Sequence, residues 1–180
     1  MKKSIFLFLL AGILLLCGCS GSEAPVPTGE PLFGSFTAMD LQGQSVDETL
    51  FFQKKLTMVN IWGTFCGPCI QEMPDLGELA DEFGEDLQIV GIVIDAVDQN
   101  GNPLEEKKEE AERIVSETGA DYRHILPSRS LTLAYLGRVQ AVPETVFLDE
   151  NGVQVGKSFM GARSKAEWKA QIEALLEQVK

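Results

Sequence analysis

Apolar and polar positions alternate along this chain in blocks of distinct period, and each block predicts an element. Residues 5–16 are an unbroken apolar run behind Lys2 and Lys3. That is the charge order and length of a secretory signal, and it is shorter than a bilayer-spanning helix. The stretch "SGSEAPVPTGEPLFG" (20–34) mixes Pro, Gly and Ser without apolar period, so it predicts a flexible tether of about 15 residues reaching roughly 20 Å. "SFTAMDLQGQSVD" (35–47) alternates about a central Gln-Gly and predicts a small hairpin. "LTMVNIW" (56–62) reads as a strand. From 66 to 83 the apolar positions Ile70, Met73, Leu76, Leu79, Ala80 and Phe83 recur at helical spacing, with a kink expected at Pro74.

The run "LQIVGIVIDA" (87–96) has no polar face, the mark of a central strand buried on both sides. A polar loop and a charged helix from Leu104 to Thr118 follow, stopping at Gly119. Its segment "EEKKEEAER" reads as a solvated face. "YRHILP" predicts a short strand, "SLTLAYLG" a short helix, and "ETVFLDENGVQVGKSFMG" two strands about an Asn-Gly turn. An amphipathic helix capped by Ser164 closes the chain. Strands alternating with helices and ending in a hairpin predict a mixed α/β sheet. No internal repeat is visible.

The apolar run ends in Leu16-Cys17-Gly18-Cys19, which resembles a bacterial lipoprotein box with Cys19 as the lipidated residue and membrane anchor. Cys17 fits poorly, because Leu16 would then stand where a small side chain is needed, so Cys17 leaves with the signal. The alternative is an ordinary cleaved signal with two incidental cysteines. The expected organisation is a signal at 1–18, a lipidated tether at 19–34 and one α/β domain at 35–180. Losing the signal removes two lysines and no acid, taking the net charge from -12 to -14. Nucleic-acid phosphates would be repelled by such a surface, so no nucleic-acid partner is expected.

With Cys17 lost and Cys19 lipidated, only Cys66 and Cys69 of the four cysteines remain in the fold. A thiol is nucleophilic as thiolate, and the first turn of a helix lowers its pKa through unpaired N–H groups and the positive dipole end. Cys66 falls where strand gives way to helix, and Pro68 suits that first turn. Cys69 lies one turn deeper. The pair suits dithiol chemistry, with Cys66 attacking a substrate and Cys69 resolving the mixed disulfide. Two other readings stand beside it. A zinc site would want four ligands, where only two thiols and His124 are available; His124 reads as an ordinary strand residue. A structural clip closing so short a loop would constrain little chain entropy. Glu72 shares a helix face with Cys69 and could carry its proton, or it could be a solvated helix residue. No metal and no cofactor beyond the cysteine pair are called for. Any such exported pair would stay oxidised unless reductant were delivered.

"WGTFCGPCIQEMP", together with "VQAVPETVFLDENGVQVGKSFMG", resembles the thioredoxin-like thiol-disulfide oxidoreductases of the membrane-anchored TlpA/ResA type across roughly residues 35–180. The resemblance implies a thioredoxin-like fold, a mixed central sheet flanked by helices, with an N-terminal β-hairpin and an inserted helix after the central strand. It implies that Pro143 is the family's cis-proline facing the pair, that the Val142 backbone pairs with an incoming peptide, and that Glu72 is the active-site glutamate. Trp62, Phe65, Gly67, Pro68, Val142 and Pro143 make up the expected substrate surface, Trp62 as the aromatic that packs beside the pair in the family, with plain core packing as its other reading. Two residues depart from the family pattern. Phe65 stands where Trp is usual, and Asn60 stands where thioredoxins proper hold a buried acid, leaving any proton relay to Glu72.

Gly-Pro between the cysteines is the pairing of thioredoxin, at roughly -270 mV the reducing end of the series. The expected activity is therefore reduction of disulfides in exported proteins, and the resemblance implies a membrane thiol transporter as the electron donor. Cytochrome c maturation and electron supply to a surface methionine sulfoxide reductase use the same face. A metal-binding lipoprotein on this scaffold would carry a CxxxC pair, and a peroxidase would need Pro and Thr where Val59 and Gly63 stand.

Overall fold

The computed structural model describes residues 29–179. The expected signal, Cys17, Cys19 and most of the expected tether lie outside them. The strands are β1 (Thr37–Met39), β2 (Ser45–Asp47), β3 (Leu56–Trp62), β4 (Leu87–Val93), β5 (Arg123–Ile125), β6 (Glu144–Asp149) and β7 (Gln154–Met160). The α-helices are α1 (Gly67–Glu82), α2 (Glu105–Thr118), α3 (Arg129–Ala134) and α4 (Lys165–Leu176), with single 3-10 turns at Glu48–Phe52 and Leu136–Arg138.

The central sheet runs β5-β4-β3-β6-β7. β3, β4 and β5 are parallel, whereas β6 and β7 are antiparallel to their neighbours. β3 and β4 are buried almost throughout, as their continuous apolar runs require of strands covered on both faces. The β1/β2 hairpin covers the β5 edge: Leu41 N–H donates to the His124 carbonyl and Leu126 N–H to the Met39 carbonyl.

Successive β3 side chains divide the core. Val59 and Ile61 join Phe33, Phe51, Val146 and Leu131 on one face. Met58 joins Leu76, Phe147 and Trp168 on the other, under α1 and α4. Trp62, on that second face, packs with Cys66, Cys69, Met73 and Ala111 under α1 and α2. α1 and α2 approach closely because Gly77 has no side chain; a Cβ there would lie 2.5 Å from the Gly119 carbonyl oxygen.

The expected tether ends too late. Phe33 is 2% exposed and its ring lies 5.1 Å from Phe51 and 5.2 Å from Tyr135. Leu32 N–H donates to the Gly152 carbonyl. An apolar pair at the end of a polar stretch is too short for periodicity to detect, yet burying it removes a large aromatic surface from water. Pro74 lies within α1, which continues past it to Glu82. Among the described residues no helix is long and apolar enough to cross a membrane.

Candidate active site

The carboxyl end of β3 delivers the chain into the first turn of α1. Cys66 is the N-cap, with extended backbone, and its Sγ accepts from Cys69 N–H at 3.2 Å. Pro68 occupies the first turn, where its missing N–H has no intrahelical partner to lose. Cys66 and Cys69 form a disulfide with Cα atoms 5.3 Å apart. Cys66 is 5% exposed and Cys69 0%, so an incoming sulfur meets Cys66 first. Phe65, Gly67 and Pro68 around it are exposed.

The turn before Cys66 is held from beneath. Asp95 accepts from Thr64 N–H at 2.9 Å and from the Thr64 hydroxyl at 2.6 Å, and Lys107 Nζ donates to the same hydroxyl at 3.0 Å. The Val142–Pro143 peptide is cis, and the Pro143 carbonyl accepts from Gly161 N–H. Val142 is half-buried and packs against the cluster that contains both cysteines. A cleft of about 630 Å³ opens at the same end of the sheet, lined by Ile94, Val97, Leu133, Leu136, Val139 and Arg129 among others.

Trp62 does not present itself to a substrate. It is fully buried, packed behind the cysteines, and its Nε1–H donates to His124 Nδ1 at 3.1 Å. Since Nδ1 accepts, the His124 proton sits on Nε2, which donates to the Ala120 carbonyl at 3.0 Å. Burial pushes the imidazole down to about 4, which keeps it in the neutral form that this arrangement requires. Tyr122 stacks on the ring with centroids 4.5 Å apart.

Glu72 is buried, 3% exposed, and not the solvated helix residue that its surroundings in sequence allowed. Oε1 accepts from Asn60 Nδ2 at 3.1 Å; Oε2 accepts from Arg163 N–H and Trp168 Nε1–H, each at 3.1 Å. Burial raises its pKa, and the three donors and the Arg163 charge oppose this only in part. Asn60 also donates to Thr145 Oγ1 at 3.1 Å. Thr145, Arg163 and Trp168 went unread as site residues because they lie 73 to 96 positions from Glu72 in the chain. Only the register of β3 on β6 and the docking of α4 bring them in. Among the described residues no group of three or more His, Cys, Asp or Glu side chains is placed to hold a metal ion.

A cis-proline loop and a cysteine pair at the helix end of a five-stranded mixed sheet can be set beside known proteins. A family model described as Redoxin matches residues 20–176. The chain belongs to the redoxin family. Within it, the chain is similar to "Thiol-disulfide oxidoreductase ResA" of Geobacillus thermodenitrificans (strain NG80-2), 28% identical over 97% of this chain and 94% of the relative. The protein of the same name from Bacillus thuringiensis subsp. konkukian (strain 97-27) is 32% identical over 54% of this chain, a stretch spanning 61% of the relative's length. A thiol:disulfide interchange protein of the thioredoxin family from Chlorobium tepidum TLS superposes with a TM-score of 0.66 at 22% identity, covering 84% of this chain and 98% of that one. That likeness is one of fold, and this redoxin domain accordingly has the thioredoxin-like architecture.

Proposed function

We propose that this redoxin-family protein is an extracytoplasmic thiol-disulfide oxidoreductase that reduces disulfides in exported proteins. The observation that carries the reading is the Cys66–Cys69 disulfide at the N-terminus of α1, with Cys66 5% exposed and Cys69 fully buried. In the reduced state, the Cys66 thiolate, favoured by the helix N-terminus, attacks one sulfur of a substrate disulfide and expels the other as thiolate. Cys69 then loses its proton and attacks Cys66. The substrate's second sulfur leaves, and the Cys66–Cys69 bond reforms. Two electrons pass to the substrate, and Glu72, one turn on from Cys69, is the group that takes the Cys69 proton.

Exposed Phe65, Gly67 and Pro68, with half-buried Val142 beside them, form the surface on which the substrate strand docks. A membrane thiol transporter returns the electrons, and lipid on Cys19 holds the domain beside it. Cys69→Ser expressed in its native envelope should accumulate Cys66-linked mixed disulfides that dissolve on reduction. An absence of trapped partners under mild oxidation would remove the support for a dithiol reductase.

A further inference from the structure

Among the described residues, two buried side-chain atoms have no hydrogen-bond partner, Asn60 Oδ1 and Tyr122 Oη. Buried polar atoms are almost always paired. The first belongs to the residue that holds Glu72, and the chemistry of that site explains why an amide oxygen would be left idle there.

Three groups donate to the Glu72 carboxylate. Arg163 N–H and Trp168 Nε1–H can only donate. Once Glu72 gains a proton, its new O–H needs an acceptor, and neither of these can become one. Asn60 can. Turning its amide by 180° exchanges Nδ2 for Oδ1 with no change of volume. Oδ1, fully enclosed and with two lone pairs, then accepts from the Glu72 acid. The Thr145 hydroxyl, which now accepts from Nδ2 at 3.1 Å, rotates to donate to the same oxygen. Glu72 Oε2 keeps both of its donors, and Nδ2 takes the unpartnered place that Oδ1 held, so one end of the amide is idle in either arrangement. The set Glu72, Asn60 and Thr145 therefore has two hydrogen-bonded arrangements, one suited to the carboxylate and one to the acid.

We infer that Asn60 is a positioning residue that turns its side-chain amide over when Glu72 takes up a proton, so that the buried site holds either protonation state. The inference rests on the reading of Glu72 as the group that receives the Cys69 proton. As Cys69 attacks Cys66, the proton passes from the Cys69 thiol to the carboxylate, and Asn60 turns. When the donor reduces the disulfide again, the proton returns to Cys69 sulfur and Asn60 turns back. The other groups facing Glu72 are the Arg163 charge, the neutral Trp168 indole, the Tyr122 hydroxyl from the β5 side and the Cys69 sulfur on its own helix. Of these only the Tyr122 hydroxyl can both accept and donate, and it makes no hydrogen bond to Glu72, whereas Asn60 already does.

The test uses the oxidised protein. The Glu72 carboxyl carbon and the Asn60 side-chain amide nitrogen are followed by NMR across pH, and neutron diffraction is recorded above and below the Glu72 transition, because ordinary X-ray maps do not separate amide N from O. The two signals should titrate together, with Nδ2 facing Glu72 above the transition and Oδ1 below it. Glu72→Gln places a permanent N–H donor at the site, so its Asn60 oxygen should face Gln at every pH and the amide titration should vanish. An Asn60 nitrogen that faces position 72 in the acid form and in Glu72→Gln overturns the inference. That result would leave the reductase reading intact. Conversely, a protein lacking reductase activity would still show whether the amide turns.

Discussion

At Gly91 the β4 strand passes between Asn60 and His124 in the sheet register. A Cβ there would lie 2.1 Å from His124 Nδ1, the atom that accepts from Trp62. Gly91→Ala must push the imidazole aside and should lower stability by about 1–3 kcal/mol in denaturant unfolding. Much of that loss should disappear in a His124→Ser background, where the ring is gone. The same geometry sets a pH dependence. His124 is pushed down to about 4 from 6.5, so between those values the unfolded chain binds the extra proton and the folded one does not. Stability is then complete above pH 6.5 and is lost as pH falls toward 4, by up to about 3 kcal/mol. Glu72 has the opposite slope. Its pKa is raised by burial, so the folded state holds the proton longer and stability declines as pH rises from the ordinary carboxyl value of 4.5. Glu72→Gln should be more stable than wild type at alkaline pH, with the gap closing as pH falls to that value. Thermal melts of wild type, His124→Ser and Glu72→Gln across pH check both slopes. At this scale the sequence showed that Glu72 shares a face with Cys69. The burial that makes Glu72 and His124 titrate abnormally was not legible, because it comes from elements remote in the chain.

Among the elements, α4 carries more of the site than its place at the end of the chain suggests. Ser164 caps it in a capping box with Glu167, each side chain meeting the other's backbone N–H. The preceding residue gives its N–H to Glu72, the following one gives its N–H to Asp75, and Trp168 reaches Glu72 from the first turn. Ser164→Ala should cost about 1 kcal/mol of stability. Loosening that first turn weakens two of the three donors to Glu72, so the Glu72 titration should move further upward, which carboxyl-carbon NMR would read. Exposed pairs between α4 and α1, such as Lys165 with Glu78, contribute little by comparison. The cap was legible in "SKAE" as a local pattern. What the cap positions was not, because it depends on the docking of α4 against α1 across the β6 and β7 strands.

For the molecule as a whole, the parallel half of the sheet sends its carboxyl ends, the cysteine turn and the cis-proline loop to one end. The cleft at that end, lined by residues that follow β4 and β5, is bounded by exposed Leu133 and by Arg129. A protein substrate extending from Cys66 would cross it, whereas a small disulfide would touch only the cysteine. Leu133→Asp should therefore lower kcat/KM for a protein disulfide by about tenfold, the scale of one lost apolar contact. It should leave reduction of a small aromatic disulfide unchanged; equal loss on both would show that the cleft does not bind the substrate.

By itself the sequence determined the order of strands and helices, the cysteine pair at a helix start and the carboxylate one turn beyond it. These follow from apolar period, caps and the propensities of neighbouring residues, all of which act over a few positions. Only the tertiary structure decided that Trp62 is a buried support and not a substrate contact, that Phe33 belongs to the core, and that His124 and Asn60 each face a partner. Those outcomes depend on which strands lie side by side and which helix covers them. Burial and hydrogen bonding between residues dozens of positions apart are properties of the packed chain, and no short window of sequence contains them.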